Sequence, residues 1–172
     1  MKQVKYIFFC TIFFIFFTEA HSQNIVYVNL DKIIKNSKAG SELIKFYNDK
    51  NKETIDKIKI EEQKIRDMEK SLISQKNILE AEEYKKKSDI VSNEIINFNK
   101  NNQKIMKELN LNKDKSIQLL IKDINIILEE YAINNKIDII MSSNQILIGK
   151  SNLDVTNKIL EIVDSKIKKF KK

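Results

Sequence analysis

Apolar residues recur at seven-residue intervals through the middle of the chain. A first series is apolar at five of its six positions, which are Ile44, Asn51, Ile58, Ile65, Leu72 and Leu79. A second series is apolar at seven of its eight positions, which are Tyr84, Val91, Phe98, Ile105, Asn112, Leu119, Ile126 and Ile133. Because a sustained heptad is typical of a coiled coil, we expect both series to line a seam between helices, with Asn51 and Asn112 setting its register.

The two series are out of step with each other. Leu79 and Tyr84 are five residues apart, and no Gly or Pro marks the break. Either one helix continues through a stutter, or the chain reverses in an antiparallel hairpin, for which residues 74–77 are the most turn-friendly stretch. The break and the narrow seam favour the hairpin, whose limbs at 31–77 and 80–133 would reach about 70–80 Å.

A short β-branched run precedes the heptads. Residues 24–30 read Asn-Ile-Val-Tyr-Val-Asn-Leu and predict a buried strand. Asp31 is a plausible N-cap for a short helix that continues to Lys38. We expect Ala39 and Gly40 to interrupt that helix before the long polar region begins.

The period changes again after residue 133. Two further strands are predicted at 137–141 and 145–148, joined by a turn, and Gly149 ends the second. A closing helix is predicted at about 155–170, capped by Asp154 or Asn152. Its inward residues would be Val155, Ile159, Ile162 and Ile167.

The strands can pair only if the two ends of the mature chain come together. The predicted fold class is therefore α+β and predominantly helical, a small β-strand body with a long antiparallel coiled-coil helical hairpin. Residues 23–40 and 134–172 would form the body. Residues 41–133 would form the arm, with its tip near 74–87.

The first 22 residues follow the plan of a secretory signal peptide. Two lysines precede a 12-residue apolar run at 6–17, which is too short to span a membrane. Small residues then follow, and cleavage is predicted after Ser22, or alternatively after Ala20. We therefore expect residues 1–22 to be removed on export.

Scarce residue types argue against most enzyme classes. The two glycines, Gly40 and Gly149, are too far apart for a phosphate-binding loop. The single Cys and single His, Cys10 and His21, lie in the predicted signal peptide, so the mature chain lacks the residues for a zinc site or for His or Cys catalysis. We predict no enzyme activity, no catalytic residues, no metal and no cofactor.

The net charge of +7 raises the question of nucleic-acid binding. Phosphate and base recognition depend heavily on arginine, and Arg66 is the only arginine in the sequence. Because the chain is also predicted to be exported, we expect no nucleic-acid partner.

The order of signal peptide, strand, long charged hairpin, two strands and helix resembles the Skp/OmpH family of periplasmic chaperones. The segments that carry the resemblance are Ile25-Val26-Tyr27-Val28-Asn29-Leu30-Asp31-Lys32-Ile33, Ala39-Gly40, Tyr131-Ala132, Ile137-Asp138-Ile139-Ile140-Met141, Asp154-Val155-Thr156 and Ile159-Leu160. The resemblance implies a periplasmic homotrimer whose strands join in a central body. Three helical arms would surround a cavity that holds unfolded outer-membrane proteins without ATP.

The body is too small to cover its own strands. Within about 50 residues, one closing helix cannot bury both faces of a sheet, and cores of this size are marginal alone. The strand residues predicted to pack between the copies of a trimer are Ile25, Val26, Val28, Ile137, Ile139 and Ile140.

Residues off the heptad seam are the candidates for contact with an unfolded client. They are Ile60, Ile73, Ile78, Ile90 and Ile96, together with Lys85, Lys86 and Lys87 near the predicted tip. Taken singly, each is more simply read as an ordinary surface residue. Contact with anionic lipid or lipopolysaccharide is a further possibility, although no position matches a known motif. The alternative function is a structural coiled-coil spacer or adaptor of the cell envelope.

Overall fold

Two long helices and a small parallel sheet dominate the computed structural model, which describes residues 23–170. The helices and strands, in chain order, are β1 (Ile25–Val28), α1 (Leu30–Asn36), α2 (Lys38–Ser74), α3 (Ala81–Asn134), β2 (Ile139–Ser142) and α4 (Thr156–Lys166). Short 3-10 helices at Ser143–Gln145 and Ser151–Leu153 precede α4. This confirms the predicted fold class, a predominantly helical chain with a small strand body and a long helical hairpin. The predicted signal peptide lies outside the described residues.

The chain reverses between α2 and α3, so the hairpin is present and the continuous helix with a stutter is not. The amide of Gln75 donates to the carbonyls of Ser71 and Leu72, and the amide of Leu79 donates to the carbonyl of Gln75 at 3.0 Å. The ammonium of Lys87 on α3 donates to the side-chain oxygen of Gln75 at 2.9 Å and so links the two limbs at the tip. At 1.5 Å per residue, the 37-residue α2 is about 55 Å long and the 54-residue α3 about 80 Å.

The first heptad series lies on the seam as predicted, since each of its six members is buried or half-buried. The second series follows the seam only as far as Phe98. Beyond it, Ile105, Ile126 and Ile133 are exposed, and the buried residues of this half of α3 are instead Ser116, Leu120, Ile124 and Ile127. Successive members of this set are four, four and three residues apart, which is close to the 3.6 residues per turn of a straight helix. A strict seven-residue series drifts about 20° per heptad away from such a seam.

The boundary between α1 and α2 differs from the sequence prediction. Asn29, not Asp31, caps α1, because its side-chain oxygen accepts from the amide of Lys32 at 2.8 Å. The break that follows is the single extended residue Ser37, whose hydroxyl accepts from the amide of Gly40 at 3.1 Å. The predicted interruption at Ala39-Gly40 is therefore wrong, and both residues lie within the first turn of α2.

Gly40 is in this turn because the helices meet too closely for a side chain. A Cβ at this position would lie 1.7 Å from the carbonyl oxygen of Ile34 on α1. No rotation of a neighbouring side chain removes a clash with backbone. The absence of a Cβ therefore sets the close approach of α1 and α2.

The two ends of the described chain meet in the sheet. β1 and β2 pair in parallel, with Ile25 opposite Ile139 and Val28 opposite Ser142. Beside the sheet, the amide of Asn24 donates to the carboxylate of Asp138 at 2.7 Å. The predicted closure of the body around an inserted arm is thus observed.

The predicted third strand at 145–148 does not form. The edge of β1 that it could have joined is occupied by the segment before α4, where Tyr27 bridges Asp154 and the amide of Val155 donates to the carbonyl of Tyr27 at 3.0 Å. The chain instead turns through the first 3-10 helix and passes close to the ring of Tyr27 at Gly149, where a Cβ would lie 2.7 Å from that ring.

The closing helix is shorter than predicted and ends at Lys166. Its first residue is Thr156, whose amide donates to the side chain of Asp154 at 2.9 Å, whereas Asn152 lies within a 3-10 helix and caps nothing. The core of the body and arm base is formed by Val26, Val28, Ile33, Ala39, Leu43, Tyr47, Leu120, Ile124, Ile127, Val155, Ile159 and Val163. Val163 was not among the predicted inward residues, and Ile162 and Ile167 are only partly buried.

Candidate functional site

The strand residues predicted to join copies of the chain do not form one surface. Val26 and Val28 are at most 7% exposed, because they lie in the core of their own chain and α4 packs against β1. Ile25, Ile137 and Ile140 are half-buried, and Ile139 is 45% exposed. Since residues paired across parallel strands point to the same face, Ile25 and Ile139 share the outer face of the sheet. Only this face is open to another molecule.

A pair of aliphatic residues beside this face was missed by the sequence analysis. Leu147 and Ile148 are 97% and 90% exposed in the loop that Gly149 brings against Tyr27. The hydroxyl of Tyr27 also donates to the carbonyl of Lys150 at 3.4 Å, on the other side of the glycine. The loop therefore presents two apolar side chains from an anchored base. Their signal in the sequence is two adjacent aliphatic residues before a glycine, a pattern that also predicts the end of a strand.

The sheet also offers an open edge. β1 is flanked by β2 on one side and by the bridge to Asp154 on the other. Within residues 23–170, β2 pairs with β1 alone, so its outer edge carries unpaired backbone donors and acceptors. Such an edge is a template for a strand or loop of another chain.

The arm is held together near its base by a polar cluster. The hydroxyl of Tyr47 on α2 donates to the carbonyl of Asn112 at 2.9 Å and lies 2.9 Å from the hydroxyl of Ser116. The Ser116 hydroxyl is itself 3.0 Å from the same carbonyl. At the tip, Gln75 contacts Lys87. The residue numbers of the two contacting pairs, Tyr47 with Ser116 and Gln75 with Lys87, sum to 163 and 162. Such a sum stays nearly constant when two antiparallel helices keep one register. One antiparallel register therefore runs the length of the arm.

The five predicted client-contact isoleucines are all on the surface. Ile60, Ile73, Ile78, Ile90 and Ile96 are each between 60% and 79% exposed. They are not on one face, however. Ile60 lies about half a helical turn from the seam residue Ile58 and points away from α3, and Ile78 is in the turn between the helices.

Two open grooves flank the distal arm. One contains Ile73 and Ile95, and the other contains Met68 and Ile90. Leu72 and Val91 line both grooves, so the grooves lie on opposite sides of that pair. The tertiary structure thus places Ile73 and Ile90, both predicted to contact a client, on opposite sides of the hairpin.

The three tip lysines differ in their surroundings. Lys86 pairs with Glu82 at 3.0 Å, and Lys87 pairs with Glu83 at 3.5 Å in addition to its bond to Gln75. Lys85 is exposed and forms no ion pair within the described part of the chain. The charge of the lysine run is therefore partly balanced by the acidic first turn of α3.

The clearest electrostatic effects lie along α2 and are local. The ammonium of Lys57 donates to the carboxylate of Glu53 at 2.8 Å, and Lys50 approaches it at 2.9 Å, which together lower the pKa of Glu53 from 4.5 to about 2. Hydrogen bonding to Glu62 raises the pKa of Arg66. These are exposed pairs one helical turn apart, and their arrangement is typical of a solvated helix surface.

Residues 23–170 contain no cluster of His, Cys, Asp and Glu side chains that could hold a metal ion. Among the helices of that same part of the chain, none is long and apolar enough to cross a membrane.

Comparison with known proteins agrees with this architecture. A crystal structure of an OmpH-like protein from Caulobacter crescentus, described as a candidate outer membrane chaperone, matches with a TM-score of 0.80. The match covers 91% of this chain and 95% of that chain at 12% sequence identity, so it shows a shared fold. No curated protein sequence matches the chain significantly. The family model for outer membrane protein (OmpH-like) matches residues 24–163, which include both the body and the arm. The chain therefore belongs to the OmpH-like family, as its resemblance to Skp/OmpH proteins implied.

Proposed function

We propose that this protein is an ATP-independent holdase chaperone that binds unfolded outer-membrane proteins and prevents their aggregation before membrane insertion. The observation that carries the proposal is the exposure of the five isoleucines on an arm that projects far beyond the body. A helical hairpin of this length is not needed to cover the core, which ends near Tyr47. Its surface is available for contact with another chain.

The character of the arm surface suits unfolded clients. The isoleucines are dispersed over several faces and separated by charged and polar residues. A dispersed surface of this kind makes many weak contacts and selects no single folded shape. Retention would then depend on several arms engaging one client, because linked weak contacts raise the effective concentration.

The proposed assembly is a homotrimer that associates through the body. The exposed Ile139, the open edge of β2 and the Leu147-Ile148 loop are features of the body that a second copy could cover. Joining three bodies would place three arms around a common space. That space is the proposed client site.

The proposed location is the periplasm, which requires that residues 1–22 act as a cleavable signal peptide. Contact with anionic lipid or lipopolysaccharide stays a prediction, for which the exposed Lys168 and Lys169 after α4 are candidates. We propose no enzymatic activity, no cofactor and no nucleic-acid partner.

The test is suppression of aggregation of an unfolded β-barrel membrane protein at stoichiometric ratio. The informative variant shortens the arm by replacing residues 62–100 with a Gly-Ser turn, since residues 61 and 101 sum to 162 and are close across the hairpin. We expect the intact protein to keep the client soluble and the shortened one to fail. Equal suppression by the shortened protein would contradict the proposal and favour a structural spacer.

A set of point substitutions tests the exposed isoleucines without changing the length of the arm. Ile60, Ile73, Ile90 and Ile96 are changed together to Ser, which should preserve the hairpin because all four are exposed. The matched control changes Lys59, Glu69, Asn93 and Asn99, also exposed, to Ser. We expect weaker client retention in the isoleucine variant alone.

A further inference from the structure

The chain after α4 returns to the base of the arm. The amide of Ile167, the residue that ends the helix, donates to the carbonyl of Val163 at 2.8 Å. Three residues later, the ring of Phe170 lies 5.6 Å from the ring of Phe46 on α2, at an interplanar angle of 49°. Phe46 is eight residues into α2, about 12 Å along the arm from its first residue. Residues 167–170, the C-terminal strap, thus connect the body to the arm.

The contact of the strap continues across both limbs of the hairpin. The ring of Phe46 packs edge-on against Tyr47, with centroids 5.2 Å apart and an interplanar angle of 88°. Tyr47 in turn contacts Asn112 and Ser116 on α3 through its hydroxyl. An unbroken series of contacts therefore runs from Phe170 to α3.

The start of the strap is also tied to the arm by charge. Lys166, at the end of α4, forms an ion pair with Glu130 on α3. Asp164, two residues earlier, accepts a hydrogen bond at 2.7 Å from the amide of Lys38, the first residue of α2. Both limbs of the arm are thus held by α4 where they leave the body, and the strap extends this attachment along α2.

The helix from which the strap extends, α4, is fixed in the core of the body. Ile159 and Val163 of α4 are fully buried in the core together with Leu43 and Ile124, which belong to the arm base. The strap itself is only half-buried at Ile167 and Phe170, and Lys168 and Lys169 are exposed. It can therefore detach without opening the core.

We infer that the C-terminal strap is a conformational device that locks the base of the arm to the closing helix. While Phe170 of the strap packs against Phe46, the first turns of α2 move together with the body. When the strap detaches, α2 keeps its core contacts at Leu43 and Tyr47 but loses the support at Phe46, so the arm can tilt more freely about its base. The strap thereby governs the direction and spread of the arm, whatever the arm binds.

The test measures the distance between body and arm tip in the full-length protein with Cys10→Ser. Spin labels are placed at cysteines that replace Lys158 on α4 and Asn77 at the tip, both exposed. Labelled chains are diluted with unlabelled ones so that only distances within one chain are read. We expect Phe170→Ala to broaden the distance distribution and Lys169→Ala, the neighbouring exposed control, to leave it unchanged. An unchanged distribution in Phe170→Ala would overturn the inference.

Hydrogen exchange supplies an independent readout at the base of the arm. An aromatic pair of this kind stabilises by about 0.5–1.5 kcal/mol, so amides at 46–50 should exchange roughly two- to tenfold faster in Phe170→Ala. Phe46→Ala should cause at least as large a change, because it also removes the contact with Tyr47, and the double variant should add little to Phe46→Ala alone. Fully additive effects would show that the two rings act separately and would contradict the strap. Circular dichroism melting confirms that each variant keeps its fold.

Discussion

The hydroxyl of Tyr47 on α2 lies 2.9 Å from the hydroxyl of Ser116 on α3, and both are within 3.0 Å of the carbonyl of Asn112. Tyr47 and Ser116 are both buried. A buried polar cluster that is fully hydrogen-bonded specifies one alignment of two helices, because sliding the helices leaves its members without partners. The register of the arm is therefore determined near its base.

Tyr47→Phe should destabilise the protein by about 0.5–1.5 kcal/mol, since it removes a buried hydroxyl that joins α2 to the Asn112 carbonyl and the Ser116 hydroxyl of α3. Urea unfolding followed by circular dichroism measures the change. The double variant Tyr47→Phe with Ser116→Ala removes polar groups from both helices and should lose less than the sum of the single variants. Additive losses would show that the two hydroxyls do not interact.

Gly40→Ala should destabilise the protein although it lies within a helix, where alanine normally gains about 1 kcal/mol over glycine. The new Cβ would overlap the carbonyl of Ile34, and overpacking of this kind costs about 1–3 kcal/mol. Thermal melting of this variant is compared with Ser41→Ala, an exposed neighbour in the same turn. A melting temperature above that of the wild type would contradict the close approach of α1 and α2.

Ile139→Asp should yield folded monomers if the body associates through its open face, because Ile139 is exposed in the single chain. Val28→Asp should instead unfold the body, since Val28 is covered by its own chain and a buried unpaired charge is strongly unfavourable. Light scattering gives the mass, and melting at several concentrations separates dissociation from unfolding. Ile126→Asp, an exposed residue on the arm, is the control. A wild-type protein that melts identically at all concentrations would rule out association through the body.

Asn102→Leu should stabilise the arm by about 1–3 kcal/mol. The side-chain oxygen of Asn102 is buried and accepts no hydrogen bond in the described structure, and an unsatisfied buried group carries a penalty of this size. Amides in the middle of α3 should exchange more slowly in the variant, while those in the strands should not change. Faster exchange in the middle of α3 would show that the amide side chain is needed there.

The carboxylate of Glu53 should titrate with a pKa of about 2, below its ordinary value of 4.5, because Lys57 and Lys50 both hold its charged form. The folded state then binds its proton less readily than the unfolded state does. The stabilising contribution is therefore complete above pH 4.5 and is lost as the pH falls towards 2. Carbon-13 NMR of the side-chain carboxyl measures the midpoint. Lys57→Gln, or high salt, should move the midpoint towards 4.5, whereas Lys59→Gln should not.

The periodicity of apolar residues indicated the hairpin and identified the seam residues of α2. The heptad from Ile44 to Leu72 stays buried or half-buried along α2 because a helix places residues seven apart on nearly the same side. The β-branched run near Val26 similarly indicated a strand, and the change of period after residue 133 indicated the return to the body. These are local properties of the chain, so they are readable before any partner is known.

The tertiary structure decided which surfaces remain open. Leu147 and Ile148 read as a strand, yet the edge they could have joined is taken by Asp154, more than 120 residues after the start of β1. Val28 and Ile139 are equally apolar in sequence, but only Val28 lies where the chain's own helices cover it. Beyond Phe98, the buried residues Leu120, Ile124 and Ile127 belong to the core at the arm base, so their burial depends on contacts with the body. Apolar character depends on the residue alone, whereas its burial depends on contacts between distant segments.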